Sequence, residues 1–489
     1  PDPSVFSTEW NREGIRLGTA IATLVRKTNE PKAQVLFRHF WGTQKREELV
    51  ASLSIPDFNA QYETTAPNKD NRFSFKPSDV TSAYRSWPNL TDLCSTAPVN
   101  GLMEKRGGAL IDVSKEDLAS RMKRYFDPDA SFEDLQNEEH PLAKDAARFD
   151  ARKARPKIQL NEGFKPDQIV RYALRPFDNR WCYFTSIRPV WNEPRPNLWP
   201  QCWRGNAFFL SRFNRSKDPE GVPFYYSRVL CDDHFLTTDA SVFPLRLNSL
   251  PGLGQEADNI VANLSPFARS YLAGLGLPDP DTDVATAELI WMHALAIGYS
   301  PAYLSENADG LGQDWPRIPL PQEKSVLLAS AALGRQLAAL LDTEAPVDGV
   351  TTGTIRPELR DIAVFRRADG NAAEPAGGDL DLTAGWGHAG KGGVTMPGRG
   401  KTAPHGTDAL DIYLNDSTCW RNVPQAVWNF TIGGYQVIKK WLSYREKPLL
   451  GRPLTPDEVR YVTEMARRLA ALLALQPALN ANYRDASGS

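Results

Sequence analysis

The stretch Ile169–Pro189, IVRYALRPFDNRWCYFTSIRP, governs how the rest of the chain is read. It admits two readings: a buried pair of strands, or a surface built to hold a flat, negatively charged partner. The alternation in RYALRPF and RWCYFTS favours strands on either side of a turn at Pro176. On the first reading Phe177, Trp181 and Tyr183 pack a core, and Asp178 pairs with Arg175 or Arg180 to fix the turn. That reading leaves the continuing excess of arginine unexplained. From Arg171 to Lys217 there are nine basic residues against two acids, Asp178 and Glu193, with Trp191, Trp199 and Trp203 interleaved. Arginine in place of lysine favours bidentate contacts to phosphate or guanine, and stacking on aromatic faces. Nucleic acid is the partner that fits.

A chain of 489 residues exceeds what one hydrophobic core usually organises, so two or three domains are expected. Apolar residues at 41% and aromatics at 10% indicate a folded protein. A formal net charge of -2 excludes a globally basic nucleic-acid coat and confines such binding to local patches. A second basic zone, Arg421 to Arg468, has nine basic residues against four acids, with KKWLSYR gathering Lys439, Lys440 and Arg445 around Trp441 and Tyr444. A solvated helix face is the competing reading there. The five cysteines are scattered without zinc-type spacing, as reduced thiols of a cytoplasmic protein would be. No apolar run approaches the length of a membrane span and PDPSVFSTEW is no signal peptide, so no membrane partner is expected.

Near the start, GIRLGTAIATLVRK (Gly14–Lys27) and AQVLFRHF (Ala33–Phe40) read as adjacent strands, with a helix in TQKREELVASLS. Two strands make no stable domain alone, so the chain reads as beginning inside a larger one. Residues 56–98 are polar and proline-rich, as in a linker. Ser114 caps a helix in SKEDLASRMKRYFD. ATAELIWMHALAIGYS and QEKSVLLASAALGRQLAALLD read as apolar helices. Thr455, Pro456 and Glu458 form a capping box before a last long helix. Gly377–His405, rich in glycine, is expected to be a mobile loop.

No catalytic constellation is visible. The six histidines are far apart. In CDDHF (Cys231–Phe235), Asp232, Asp233 and His234 are metal-ligand types, but adjacent residues of a strand point to opposite faces, so at most two converge and a turn is the preferred reading. The glycine-rich segment fails the tests for phosphate loops and dinucleotide folds. GxSxG, HExxH and paired carboxylates are absent. No catalytic, cofactor or metal residue is assigned.

RPFDNRWCYF (Arg175–Phe184), ATAELIWMHALAIGYSPAYL with WPRIPLP (Trp315–Pro321), and VWNFTIGGYQVIKKWLSYRE with the LTPDEV helix together resemble the C-terminal specificity region of type ISP restriction-modification enzymes and related adenine-specific DNA methyltransferases. The resemblance runs from about Gly14 to about Leu475. It implies that GIRLGTAIATLVRK closes a methyltransferase sheet and that GLMEKRGGALIDVS (Gly101–Ser114) leads into a target-recognition domain. The family's NPPY and glycine-rich cofactor motifs have no counterpart here, so S-adenosylmethionine is implied for a parent enzyme and no cofactor for this chain.

The expected fold class is α+β: a β-rich target-recognition domain with packed helices, preceded by terminal strands of an α/β methyltransferase sheet. The expected divisions are 1–55, a methyltransferase remnant; 56–110, a linker and lead-in; and 111–489, the recognition domain with a helical C-terminal part. The expected function is sequence-specific recognition of duplex DNA for an adenine-N6 methyltransferase of a restriction-modification or phage-defence system. The expected partners are double-stranded DNA and the methyltransferase domain. Candidate DNA-binding residues are Lys105, Arg106, Arg175, Arg180, Arg188, Arg195, Arg204, Arg212, Arg215, Lys439, Lys440 and Arg445. The rival readings are a metal-dependent nuclease using CDDHF and a protein-interaction scaffold subunit.

Overall fold

A computed structural model of the chain describes residues 21–25, 34–40 and 44–488, apart from 70, 72, 79, 216, 218, 238, 250–258 and 391–394. It divides into two compact units, Pro1–Thr81 and Ser82–Ser489. In the first, Val35–Phe37 pairs antiparallel with Glu63–Thr65, and Lys45–Ser52 is a helix with Glu47 and Glu48 in its first turn, where acids suit the helix dipole. The partner of Val35–Phe37 is thus a strand from the expected linker. Of the Gly14–Lys27 run only 21–25 are described; these are exposed and belong to no strand, and the rest lies outside the described residues.

The second unit begins within the expected linker, because Tyr84, Leu90 and Leu93 of two short helices, Ser82–Ser86 and Leu90–Leu93, are buried in it. Its architecture is α+β. Three four-stranded sheets occur among the described residues. In the first, Ile111–Asp112, Asp178–Tyr183 and Ile169–Arg175 run antiparallel in that order, and Leu230–Cys231 joins parallel to Ile169–Arg175. The second orders Val99–Asn100, Ser241–Pro244, Phe208–Ser211 and Tyr225–Ser227. The third orders Val364–Arg367, Thr418–Pro424, Ala409–Tyr413 and Thr402–His405.

The helices supply the largest core. Val284–Gly298, capped by Asp283, buries almost every side chain from Thr286 onward. Lys324–Leu341 crosses it closely: a Cβ on Gly334 would stand 1.9 Å from the Met292 carbonyl oxygen, so glycine alone fits the crossing. By length and composition Lys324–Leu341 is apolar enough to cross a membrane, contrary to the sequence reading, but its Leu327, Ala331 and Leu337 are buried, and it contacts Val284–Gly298, Pro456–Ala474 and Gln476–Ser487. His293 is a satisfied core histidine, with Nδ1 2.7 Å from Ser330 Oγ and Nε2 2.6 Å from the Pro319 carbonyl. Burial brings its pKa down to about 4.

The capping predictions agree with the structure. Ser114 Oγ accepts from Asp117 N at 3.1 Å, and Thr455 and Glu458 exchange the reciprocal bonds of a capping box. The glycine-rich segment, expected to be a loop, contains paired strands, and its residues 391–394 lie outside the described residues. Gly387–Ala389 and Thr395–Pro397 pair antiparallel, and Trp386 is fully buried with its indole N–H donating to Tyr413 O at 2.8 Å. One large ring with a polar handle organises the glycines around it.

Candidate nucleic-acid interface

The 169–183 region is a hairpin, as the alternating runs about Pro176 predict. Phe177 takes the turn at φ 60° and is fully buried, edge-on to Tyr225 at 6.2 Å. Tyr183 and Trp191 are also buried, the Trp191 indole N–H donating to Tyr183 O at 2.9 Å, and Trp199 stacks on Phe184 at 4.1 Å. These aromatics belong to the core. The arginines at the turn end have a different fate. Arg175 pairs with Asp232 at 2.6 Å, and Arg180 pairs with Asp178 at 2.9 Å.

The second basic zone folds back onto the same place. Thr431–Ile432 and Tyr435–Gln436 form a two-residue hairpin whose turn, Gly433 and Gly434, has φ of 53° and 82°. Positive φ at both positions is the geometry glycine pairs provide. The turn is wedged against Thr237, whose N–H donates to Gly433 O at 2.7 Å. It delivers Tyr435 into a ring of cations: Arg175, Lys217 and Lys440 each lie 5.5 Å from its centroid. The helix Val437–Ser443 then brings Tyr444, which carries Lys440 at 4.3 Å and Arg180 at 4.8 Å. Cations over aromatic faces at these distances are attracted by about 0.5–2 kcal/mol each.

Asp178 ties the two zones together. Its side chain is 1% exposed and accepts from Arg180 and, at 2.7 Å, from Arg445, itself buried over Trp441 at 3.8 Å. Burial alone would raise the Asp178 pKa; the two guanidiniums outweigh it and hold the carboxyl far below its usual range. Asp232 is committed likewise, to Arg175, to the Tyr172 hydroxyl at 2.8 Å and to His234 N at 2.9 Å. Both of these acids are thus taken up by arginines. Lys217, which is exposed, and Lys440, which is half-buried, make no ion pair among the described residues. Desolvation lowers the Lys440 pKa, and Arg175 adds to the effect as a like charge. Among the described residues the cluster therefore carries excess positive charge at its surface.

Of the candidate residues, Arg175, Arg180, Lys440 and Arg445 come together here, with Lys439 beside them in sequence and half-buried. The others are dispersed. Arg106 is buried, donating to the carbonyls of Pro189, Ala147 and Lys105 beneath Phe149 at 4.5 Å. Arg212 is fully buried in a bidentate pair with Glu220. These two and Arg445 have structural duties and offer no face to a ligand, which departs from the sequence reading. Their partners are remote carbonyls and buried acids that a count of local charge cannot register. Arg188 pairs with Glu193, Arg195 lies 3.6 Å from Glu193, Arg204 and Lys105 are exposed, and Arg215 approaches Gly312. Several further cations of the second zone are also spent internally. Arg468 donates to the carbonyls of Ala339 and Leu340, closing the end of Lys324–Leu341, and Arg452 pairs with Glu458 at 2.7 Å. Lys217, Tyr435 and Tyr444 were absent from the candidates. The Gly433–Gly434 pair before Tyr435 is the sequence signal that could have marked a hairpin there.

CDDHF runs from the end of the strand Leu230–Cys231 into a turn, with Asp232 directed to Tyr172 and Arg175, and Asp233 buried elsewhere at 2% exposed. The His234 imidazole lies 3.3 Å from Asp233, which raises its pKa.

No curated protein matches the chain. Three solved structures share its fold at low identity. A nuclease-deletion mutant of the Type ISP restriction-modification enzyme LlaGI, in complex with a DNA substrate mimic, aligns with TM-score 0.53 and 15% identity over 93% of this chain and 39% of that one. A DrdV–DNA complex gives 0.56 and 15% over 92% and 43%. The ATP-dependent Type ISP restriction-modification enzyme LlaBIII, bound to DNA, gives 0.55 and 14% over 90% and 26%. The chain thus spans less than half the length of each. The family described as Type ISP C-terminal specificity domain matches residues 96–468, most of the second unit, and the chain belongs to that family.

Proposed function

We propose that the chain recognises duplex DNA, and that the cluster around Tyr435 and Tyr444 holds the DNA backbone. The observation that carries this reading is the convergence of Arg175, Lys217 and Lys440 on one ring, with both lysines free of acidic partners among the described residues. Phosphate contacts of this kind position a protein, while base contacts specify the site. Arg188 and Arg204, exposed on the same unit, extend the set of cations open to DNA.

In a longer protein this recognition would serve adenine-N6 methylation in a restriction-modification or phage-defence system of the cytoplasm. The adenine must leave the stack to react, so the recognition unit grips the flanks while another domain receives the base. S-adenosylmethionine would be bound by that other domain, and no step of methyl transfer is assigned to residues of this chain. The first unit exposes Leu24, Val25, Leu53 and Phe73 by 85%, 75%, 69% and 62%.

The test is anisotropy of a labelled duplex over a range of salt. Lys217→Ala and Lys440→Ala should each weaken cognate and random duplex alike and reduce the salt slope by about one. Variants that bind both duplexes like the parent at every salt concentration would remove this cluster from the interface.

A further inference from the structure

We propose that Asp233, His234 and Asp239 form a binding site for one divalent transition-metal cation, of the Mn2+ or Zn2+ class. One imidazole nitrogen and two carboxylates are a donor set for such ions, imidazole suiting zinc and carboxylate suiting manganese. The ligand atoms of the three residues lie within 4.8 Å of one another. Bonds of about 2.1 Å hold ligands roughly 3–4 Å apart, so an ion would draw this group inward slightly.

The independent sign is Asp233. Its side chain is 98% buried, since 2% is exposed, yet neither carboxylate oxygen accepts a hydrogen bond among the described residues. The cations nearest to it are His234 Nδ1 at 3.3 Å and Arg195 Nη2 at 3.8 Å. A buried carboxylate is costly unless it is paired and hydrogen-bonded or coordinates a metal. The oxygens face the two exposed ligands, His234 and Asp239, so an ion held there reaches solvent on its open side. Strand alternation would pair Asp232 with His234, but the strand ends at Cys231 and the turn after it brings Asp233 and His234 together instead; the third ligand comes from Asp239, which returns because Ala240 N donates to Asp233 O at 2.7 Å.

The site adjoins the cationic cluster. The Tyr435 hydroxyl donates to the His234 carbonyl at 3.1 Å, and Thr237 holds the Gly433 turn. A bound ion would fix the backbone on which Tyr435 rests. The inference concerns the metal alone and stands whether or not the cluster binds DNA.

The probe is Mn2+, which avoids the thiols, titrated into chelator-treated chain while free Mn2+ is read by electron paramagnetic resonance. One Mn2+ per chain is expected, with His234→Ala and Asp233→Asn each weakening binding by about tenfold or more. The parent should also melt at a higher temperature with Mn2+ than without, and the variants should not. His234 is half exposed, so His234→Ala should melt like the parent in chelator and decides the matter even if Asp233→Asn folds poorly. Absence of binding, or His234→Ala binding Mn2+ like the parent, overturns the proposal and leaves Asp233 and His234 as a plain ion pair.

Discussion

Asp178→Asn isolates the contact that joins the two basic zones. The substitution keeps the shape and removes the charge that faces Arg180 at 2.9 Å and Arg445 at 2.7 Å. Arg445, 4% exposed, is left with the Trp441 ring at 3.8 Å and a weak bond to the Trp441 carbonyl at 3.3 Å. Breaking a buried pair by removing one partner costs about 3–5 kcal/mol. Arg180 contributes the smaller share, because it is partly open to solvent and keeps the Tyr444 ring. The expected loss is therefore about 3 kcal/mol, a large part of a total stability of about 5–15 kcal/mol. Urea unfolding followed by tryptophan fluorescence measures it, in a cycle with Arg445→Met. The double variant should lose much less than the sum of the singles, because neither charge is then stranded. The Asp178 carboxyl is held below its ordinary pKa in the folded state, so its contribution is fully present above about pH 4 and is lost on further acidification. Asp178→Asn should lack that component. Singles that add without coupling, or an Asn variant within about 0.5 kcal/mol of the parent, would refute the bridging role.

Arg106→Ala and Arg212→Ala should lower the unfolding midpoint by stranding buried carbonyls or Glu220, while DNA affinity measured on folded protein stays at the parent's value. Gly434→Ala should weaken DNA binding as much as the combined Lys217 and Lys440 substitutions, because its Cβ would stand 1.9 Å from Thr237 Oγ1 at φ 82° and displace Tyr435; anisotropy reads this directly. His293 is neutral when folded, with pKa about 4, against 6.5 unfolded. The unfolded chain takes up the proton first, so stability is fully present above pH 6.5 and falls by about 3 kcal/mol on the way to pH 4; urea midpoints across that range should show the fall in the parent, and His293→Gln should flatten it.

The elements were legible wherever local chemistry decides them. Pro176 between alternating runs gave the hairpin, and Ser114 and Thr455 gave their helix starts, because caps and turns act within four residues. The helix Lys324–Leu341 was equally plain from its period, and Val284–Gly298 from its unbroken apolar run. What escaped was the use of each arginine. Arg212 and Arg215 look alike in sequence, yet Glu220 draws the first into the core. Arg106 finds its carbonyl at Pro189, and Arg468 finds its own at the end of a helix more than a hundred residues away. Trp386 organises a glycine-rich stretch through Tyr413 and Glu446, neither of which lies within it. The proposed metal ligands are half legible: Asp233 and His234 lie together in CDDHF, but Asp239 enters only through the backbone bond that closes on Asp233.

The meeting of Lys217 with Tyr435 has a consequence for the order in which the protein is made. The two residues are 218 positions apart, from 435 minus 217. At about 5–20 residues per second, the ribosome would release the first cations some 10–40 s before the ring that gathers them. Until Gly433 and Gly434 turn and dock, the early segment carries arginines without a shared frame. The cluster is thus complete only once synthesis has passed Tyr444.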